Sequence, residues 1–132
     1  MTSLDVAREF VARINAHDTE GLTALMAVNH RFVDSLGDVS ARPAIEDGWR
    51  QYFEMVPDYW IKVDRMLSDG EFAVLIGRAG GTYVPKGGTM KQENEWEAPA
   101  VWTAQTEGQR LVEWRVYSDN ESVRARIKKP NL

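Results

Sequence analysis

The sequence contains no cysteine, so disulfides, thiolate metal sites and cysteine nucleophiles are excluded. It has only two histidines, His17 and His30, which are too few for a histidine-rich zinc or iron site. Basic residues are not in excess, because the formal net charge is −4. Proteins that bind nucleic acid through its phosphates need a positive surface. We therefore expect no metal, no cofactor and no nucleic-acid partner.

Long apolar runs are also missing. No stretch approaches the roughly 20 apolar residues that are needed to cross a bilayer. Residues 1–17 carry charged residues between the apolar ones, which is unlike a signal peptide. These absences predict a soluble, cytoplasmic protein with no membrane partner. The chain of 132 residues is long enough for one domain with a real core, and we expect a single domain over residues 1–132.

The first half of the chain is predicted to be helical. Apolar residues recur at the three-to-four spacing of one helical face over residues 3–16, and Thr2 begins a possible capping box. A second helix is expected over residues 19–26. Pro43 is a favourable first residue for a third helix over residues 43–55.

The second half has the character of strands. Strands are predicted over residues 60–67, 71–83, 93–106 and 110–119, with Asp69-Gly70 as a hairpin signal between the first two. Together with a short strand before the third helix, this order predicts an α+β fold. A curved antiparallel sheet of four long strands plus the short strand would wrap around three N-terminal helices.

The third long strand has a regular pattern. Alternation places five residues on one face: Trp96, Ala98, Ala100, Trp102 and Ala104. Pro99 interrupts this strand and indicates an edge position or a bulge. The polar residues 120–132 are predicted to be frayed.

The short strand, residues 31–37, contains one carboxylate, Asp34, among apolar neighbours. A carboxylate in such a setting is either tied down by hydrogen bonds or placed for proton transfer. Both interpretations stay open. In the first, Asp34 caps the third helix or pairs with Arg31 or Arg42. In the second, it is the acid/base group of a pocket.

Four segments occur in an order and spacing that resemble a known family. They are residues 14–22 (INAHDTEGL), 32–37 (FVDSLG), 57–71 and 110–119. Over about residues 4–120 the chain resembles the nuclear transport factor 2-like superfamily, and within it the SnoaL-like and ketosteroid-isomerase-like proteins. The resemblance implies a cone-shaped domain with a deep apolar pocket, and a homodimer that pairs through the outer sheet face. The scaffold hosts isomerases, dehydratases, cyclases, epoxide hydrolases and non-enzymatic binding modules, so it does not name a reaction.

Asp34 falls where ketosteroid isomerases keep their general base. Those enzymes also need an oxyanion hole made by a tyrosine and a protonated acid. Phe10 and Ala100 stand at the matching positions, and neither side chain can donate a hydrogen bond. Losing one such donor typically costs about 10² to 10³ in rate. The comparison therefore argues against steroid isomerisation.

Two other reactions of the superfamily also lose a key residue. SnoaL-like cyclases keep an acid/base aspartate on the third long strand, where residues 98–102 of this chain contain no carboxylate. The epoxide hydrolases use an Asp-Arg-Asp arrangement. Arg78 is present here, but Gly80 stands where the following aspartate is needed.

After these three reactions are set aside, the resemblance still implies a pocket, with Asp34 as the candidate catalytic residue. The candidate substrate-binding residues are Trp49, Phe53, Trp102, Trp114, Tyr117 and Asp119. Alternation puts Trp114 and Tyr117 on opposite faces unless a bulge intervenes. Trp60 and Trp96 are alternatively assigned to the dimer face, where large aromatic residues concentrate. His30 is assigned to the surface.

The sequence supports two functional hypotheses. In the first, the protein binds an apolar, carbonyl-bearing small molecule and catalyses cofactor-independent isomerisation, cyclisation or dehydration with Asp34 as general base. A donor such as Tyr52, Tyr117 or an indole N–H would polarise the carbonyl. In the second, the protein is a non-catalytic, dimeric ligand-binding or protein-interaction module in which Asp34 is structural.

Overall fold

The computed structural model describes residues 1–119 and 121–128. This part of the chain contains four α-helices: α1 (Ser3–Asn15), α2 (Thr19–Leu25), α3 (Arg42–Met55) and α4 (Glu121–Lys128). It also contains six strands: β1 (Met26–Val33), β2 (Val39–Ala41), β3 (Trp60–Asp69), β4 (Phe72–Thr82), β5 (Glu95–Glu107) and β6 (Arg110–Ser118). A short 3-10 turn, Gln92–Asn94, precedes β5.

The six strands form one curled, open sheet in the order β2-β1-β6-β5-β4-β3. The predicted α+β fold is confirmed, and β3 to β6 form the expected antiparallel meander. The sheet as a whole is mixed, because β1 lies parallel to β6. The strand expected to be short, β1, has eight residues, and β2 lies between the predicted short strand and the predicted third helix, where no strand was expected.

The first helix begins as the sequence predicts. The side chain of Thr2 accepts from the backbone N–H of Asp5, and the Asp5 carboxylate accepts from the backbone N–H of Thr2. This reciprocal capping box satisfies two of the free amides at the start of α1. The apolar face of α1, which includes Val6, Phe10 and Ile14, is buried in the core.

The hairpin between β3 and β4 is confirmed at Asp69-Gly70, where Gly70 adopts a φ of +60°. The pairing of these strands shifts register between Val63 and Arg65, opposite Gly77. A Cβ added at Gly77 would lie 1.9 Å from the backbone oxygen of Lys62. The strands approach closely there because this residue has no side chain.

The alternation predicted for β5 is confirmed, since Trp96, Ala98, Ala100, Trp102 and Ala104 are all buried. The edge position predicted for Pro99 also has a clear basis. Pairing of β5 with β6 ends at Ala100 and Ser118, so β5 has a neighbour on one side only at Pro99.

The C-terminal segment was predicted to be frayed, and over residues 121–128 this is wrong. These residues form α4, which packs against β5, and Arg126 donates to the carbonyl of Glu95 at 3.0 Å. Residues 120 and 129–132 lie outside the described part. None of the described helices is long and apolar enough to span a membrane.

Candidate functional site

The concave face of the sheet and α3 enclose a cavity of about 330 Å³. This volume falls in the range of small-molecule pockets. Of the nineteen described residues that line it, seven are aromatic. Four of the lining residues are tryptophans: Trp49, Trp96, Trp102 and Trp114. Phe32, Tyr52 and Tyr59 complete the aromatic lining.

Small side chains line part of the cavity on both β5 and α3. On β5, Ala98 and Ala100 lie on the inward face between two tryptophans. On α3, Ala44, Gly48 and Tyr52 follow one another at four-residue spacing along the stripe that lines the cavity. The eight residue steps from Ala44 to Tyr52 span about 12 Å of helix. The helix therefore lines the cavity over about 12 Å.

Asp34 lies directly after β1, at one end of the cavity, and is half-buried. Its Oδ1 accepts hydrogen bonds from the backbone N–H groups of Leu36, at 2.9 Å, and Asp38, at 3.0 Å. These bonds close a tight turn in which Gly37 has a φ of +86°. No residue of the described chain donates to Oδ2. The carboxylate is thus held at one oxygen and free at the other.

The structural partners predicted for Asp34 are wrong. Arg31 pairs instead with Glu113 at 2.7 Å. Arg42 points its guanidinium at backbone carbonyls at the end of α2 and the start of β1. The N-cap of α3 is Ala41, and no side chain caps it. The backbone hydrogen bonds of Asp34 stabilise the turn after β1, not the helix.

Three hydroxyl groups share this end of the cavity with Asp34. They belong to Ser35, Ser40 and Ser118. The hydroxyls of Ser35 and Ser118 lie 3.1 Å apart and join the end of β1 to the end of β6. A hydroxyl both donates and accepts, so these groups can hydrogen-bond a ligand oxygen or nitrogen.

Two phenols line the other end of the α3 stripe. The rings of Tyr52, on α3, and Tyr59, just before β3, meet edge to face with centroids 4.9 Å apart and planes at 89°. Burial raises the pKa of Tyr52, and burial together with the neighbouring Tyr52 raises the pKa of Tyr59 well above its usual value. Both phenols are therefore neutral near pH 7. Neither hydroxyl has a hydrogen-bond partner among the described residues, so both can donate to a ligand.

Two of the four indole N–H groups in the lining are less available. Those of Trp96 and Trp114 are enclosed in the protein and have no partner in the described part of the chain. An enclosed nitrogen does not reach open space. The phenols, not these two indoles, present free donors to the cavity.

The structure brings four of the seven predicted site residues to the cavity wall: Asp34, Trp49, Trp102 and Trp114. Phe53 lies one turn after Trp49 and packs against it, with centroids 5.5 Å apart. On its other side, the Phe53 ring stacks on His17 at 4.3 Å. Phe53 packs against the lining residue Trp49 and does not itself line the cavity.

Tyr117 and Asp119 do not reach the cavity, contrary to the prediction. Pairing of β6 runs without a bulge from Glu113 to Ser118, so strict alternation turns Tyr117 outward. Its side chain is 46% exposed, and the guanidinium of Arg115 lies 4.8 Å from its ring centroid. Asp119 accepts from the backbone N–H of Glu121 at 2.9 Å and so holds the start of α4.

Several lining residues were missed in the sequence. Trp96 had been assigned to the dimer face, yet it is 7% exposed and lines the cavity, as its alternation with Trp102 implies. The same alternation along β6, continued from Trp114, would have found Ser118. No local sequence pattern identifies Tyr59 as a lining residue, because it lies in the connection between α3 and β3.

The prediction that His30 lies at the surface is also wrong, because this residue is buried. Its Nδ1 donates to the carbonyl of Leu111 at 2.8 Å, which leaves Nε2 as an acceptor without a described partner. Burial lowers the pKa of His30 to about 4. The imidazole is therefore neutral near pH 7 and packs beside Phe10 in the core. No cluster of three or more acidic or histidine side chains among the described residues could hold a metal.

Comparisons with known proteins identify the family and the fold. A model of the SnoaL-like domain matches residues 7–114. No curated protein matches the sequence. A proposed SnoaL-like polyketide cyclase from Shewanella denitrificans superimposes with a TM-score of 0.82 at 17% identity, over 96% of each chain.

Two further solved structures are similar. A proposed polyketide cyclase from Streptomyces antibioticus has a TM-score of 0.80 at 19% identity, over 98% of this chain and 100% of that one. A Catenulispora acidiphila protein with a ketosteroid isomerase-like fold, solved in complex with trimethylamine, has a TM-score of 0.77 at 17% identity. The match covers 95% of this chain and 93% of the Catenulispora acidiphila protein. At these identities the likeness shows the fold alone.

Proposed function

The chain belongs to the SnoaL-like domain family, and on this basis we propose that its cavity binds an apolar, carbonyl-bearing small molecule. The family and its fold support small-molecule binding or isomerase and cyclase chemistry. The aromatic wall and the volume of about 330 Å³ suit an apolar ligand. Free donors at the Tyr52–Tyr59 end and hydroxyls at the Asp34 end suit polar groups on that ligand.

We further propose that Asp34 is the general base of a cofactor-independent isomerisation, cyclisation or dehydration. The observation that carries this proposal is the free Oδ2 of a carboxylate whose Oδ1 is fixed by two backbone amides. The turn thereby orients the free oxygen without occupying it. Such a base would remove a proton from the carbon next to a carbonyl, and the neutral donors would stabilise the oxygen on which charge develops.

Proton abstraction can be tested without knowing the natural substrate. A simple enolisable ketone, 2-tetralone, is incubated with the protein in deuterated buffer, and exchange of its α-protons is followed by NMR. The Asp34→Asn variant keeps the turn, because its amide oxygen still accepts from both backbone amides, but it has no basic oxygen. We expect wild-type protein to accelerate exchange and Asp34→Asn to lose about 10² or more of that acceleration.

The control for this experiment is Asp38→Asn. Asp38 is exposed and takes part in the same turn through its backbone only. The Asp38→Asn variant should exchange the ketone protons at the wild-type rate. Equal rates for wild type and Asp34→Asn would remove the general-base assignment.

A second candidate function is a non-catalytic, dimeric binding module. The observation that favours it is that the two amide hydrogen bonds of Asp34 already give the carboxylate a structural role. In this case Asp34→Ala should lower the free energy of unfolding by about 1–3 kcal/mol, because two amides lose their acceptor. Asp34→Asn should then be near neutral, and no steroid, anthraquinone or lactone should be turned over.

We also propose that the protein is a homodimer that pairs through the outer sheet face. Three apolar side chains lie there in one row across neighbouring strands, because Ile76 pairs with Val101 and Val101 pairs with Tyr117. Ile76 and Tyr117 are exposed in the single chain. The double variant Ile76→Glu/Tyr117→Glu should be monomeric by sedimentation velocity where the wild type is dimeric. A monomeric wild type would exclude this assembly.

A further inference from the structure

Asp34 is the only charged side chain among the described residues that line the cavity. Its carboxylate forms no ion pair within the described chain, since Arg31 and Arg42 have other partners. An anionic ligand would meet a like charge in a largely apolar wall and find no cation to pair with. A cationic ligand would find a counter-ion at the free Oδ2. The charge of the site therefore selects for neutral or positive ligands.

Aromatic rings line the same cavity as this carboxylate, and two of them meet at a steep angle. Phe32 precedes Asp34 by two residues and lines the same cavity. Trp49, from α3, meets Phe32 with ring centroids 6.0 Å apart and planes at 75°. Trp114 is the register partner of Phe32 on β6 and lines the cavity too. A cation within about 6 Å of an aromatic centroid is attracted to the ring face, most strongly to tryptophan.

We propose that this end of the cavity binds a tertiary or quaternary alkylammonium group. Asp34 Oδ2 is its counter-ion, and Phe32, Trp49 and Trp114 are its walls. The inference rests on the proposed ligand-binding role of the cavity and uses Asp34 as a counter-ion. While an ammonium group occupies Oδ2, this oxygen does not act as a general base. The inference names the chemical class of the ligand: an apolar molecule with an alkylated amine at one end.

The available acceptors favour an alkylated nitrogen over a primary ammonium. A primary ammonium has three N–H donors that each need an acceptor after desolvation. This end of the cavity offers Oδ2 of Asp34 and a few serine hydroxyls, two of which already contact each other. Alkyl groups on the nitrogen remove these donors and pack against aromatic faces. The rest of the ligand would then extend about 12 Å along α3 towards Tyr52 and Tyr59.

The test compares two probes of nearly equal shape that differ in charge. Choline carries a trimethylammonium group, and 3,3-dimethylbutan-1-ol carries a tert-butyl group in its place. Binding is measured by quenching of tryptophan fluorescence and by NMR line broadening of the probe. We expect choline to bind at least tenfold more tightly than the alcohol. Asp34→Asn should weaken choline binding at least tenfold and leave binding of the alcohol unchanged.

The matched variant Asp38→Asn removes a negative charge of the same turn outside the cavity and should leave choline binding unchanged. An equal loss in both variants would show general attraction to an acidic protein and overturn the assignment. Equal affinity of wild type for the two probes would do the same. Choline should also inhibit the exchange of 2-tetralone competitively.

Failure of this inference can be told apart from failure of the proposed function. If 2-tetralone binds and choline does not, the ammonium site is wrong and the carbonyl-binding cavity stands. If choline, the alcohol and the ketone all fail to bind, the cavity does not bind small molecules and both proposals fall.

Discussion

His17 donates a hydrogen bond from Nε2 to the backbone carbonyl of Tyr59 at 2.8 Å. This bond joins the turn between α1 and α2 to the segment that carries one phenol of the cavity. The imidazole also stacks on Phe53 with an interplanar angle of 7°. His17 itself has a φ of +54°, a backbone conformation in which histidine, asparagine and aspartate are enriched. The turn thus positions the Tyr59 end of the cavity wall through one bond and one stack.

Replacing His17 should therefore cost stability. His17→Asn tolerates the positive φ but loses both the hydrogen bond and the stack, so the free energy of unfolding should fall by about 1–3 kcal/mol. Phe53→Leu is the comparison variant, since it leaves the hydrogen bond but removes the stack together with the ring contact to Trp49. Urea denaturation followed by tryptophan fluorescence measures the stability of both variants. The assignment is wrong if His17→Asn is as stable as the wild type.

Much of the fold was predictable because it depends on patterns that repeat along the chain. The apolar face of α1, the capping box at Thr2 and the alternation from Trp96 to Ala104 each follow from spacing alone. Pairing between distant segments has no such local pattern. The parallel register of β1 with β6 brings Phe32 beside Trp114, which lies 82 positions later, and only the assembled sheet determines that contact.

The site was predictable to a smaller extent, for a related reason. Trp49, Trp102 and Trp114 belong to periodic elements, so their inward orientation could be derived. Ser35 and Tyr59 belong to connections, and no periodicity indicates where a residue in a connection points. The role of Asp34 depends on two backbone amides of the turn that follows it. The structure shows that both amides donate to Oδ1, and no sequence pattern predicts these two bonds.

Stability should depend on pH through His30. Its pKa falls from about 6.5 in an unfolded chain to about 4 in the folded protein, through burial first and then the nearby charges of Arg42 and Arg31, against the hydrogen bond to Leu111 and the charge of Glu113. Between these values the unfolded chain binds more protons, so the free energy of unfolding should fall as the pH drops from about 6.5 towards 4. The slope should approach 1.4 kcal/mol per pH unit.

The contribution of His30 is separated from that of the carboxylates by His30→Gln, which does not titrate. Urea denaturation of both proteins at pH 7, 6, 5 and 4.5 gives the difference in stability at each pH. The stability advantage of wild type over His30→Gln should shrink as the pH falls. A constant difference would show that His30 is not neutral and buried in the folded protein.

Gly48 offers a way to close the cavity without disturbing the core. It lies inside α3 and lines the cavity, and a Cβ added there meets no atom within 4 Å. Gly48→Ala should raise the free energy of unfolding by up to about 1 kcal/mol, because glycine is a poor helix former. Gly48→Leu should keep the fold and occupy the cavity, so that binding of 2-tetralone and of choline is lost.

Gly77→Ala is the opposite case and serves as the contrast for Gly48→Ala. Its Cβ would lie 1.9 Å from the backbone oxygen of Lys62, and two paired strands cannot separate there without breaking their hydrogen bonds. The free energy of unfolding of this variant should fall by several kcal/mol, or the variant should fail to fold, as measured by chemical denaturation and circular dichroism.

If Gly48→Leu folds and still binds both probes with wild-type affinity, ligands do not enter the space beside α3. The binding site would then have to be sought elsewhere on the protein.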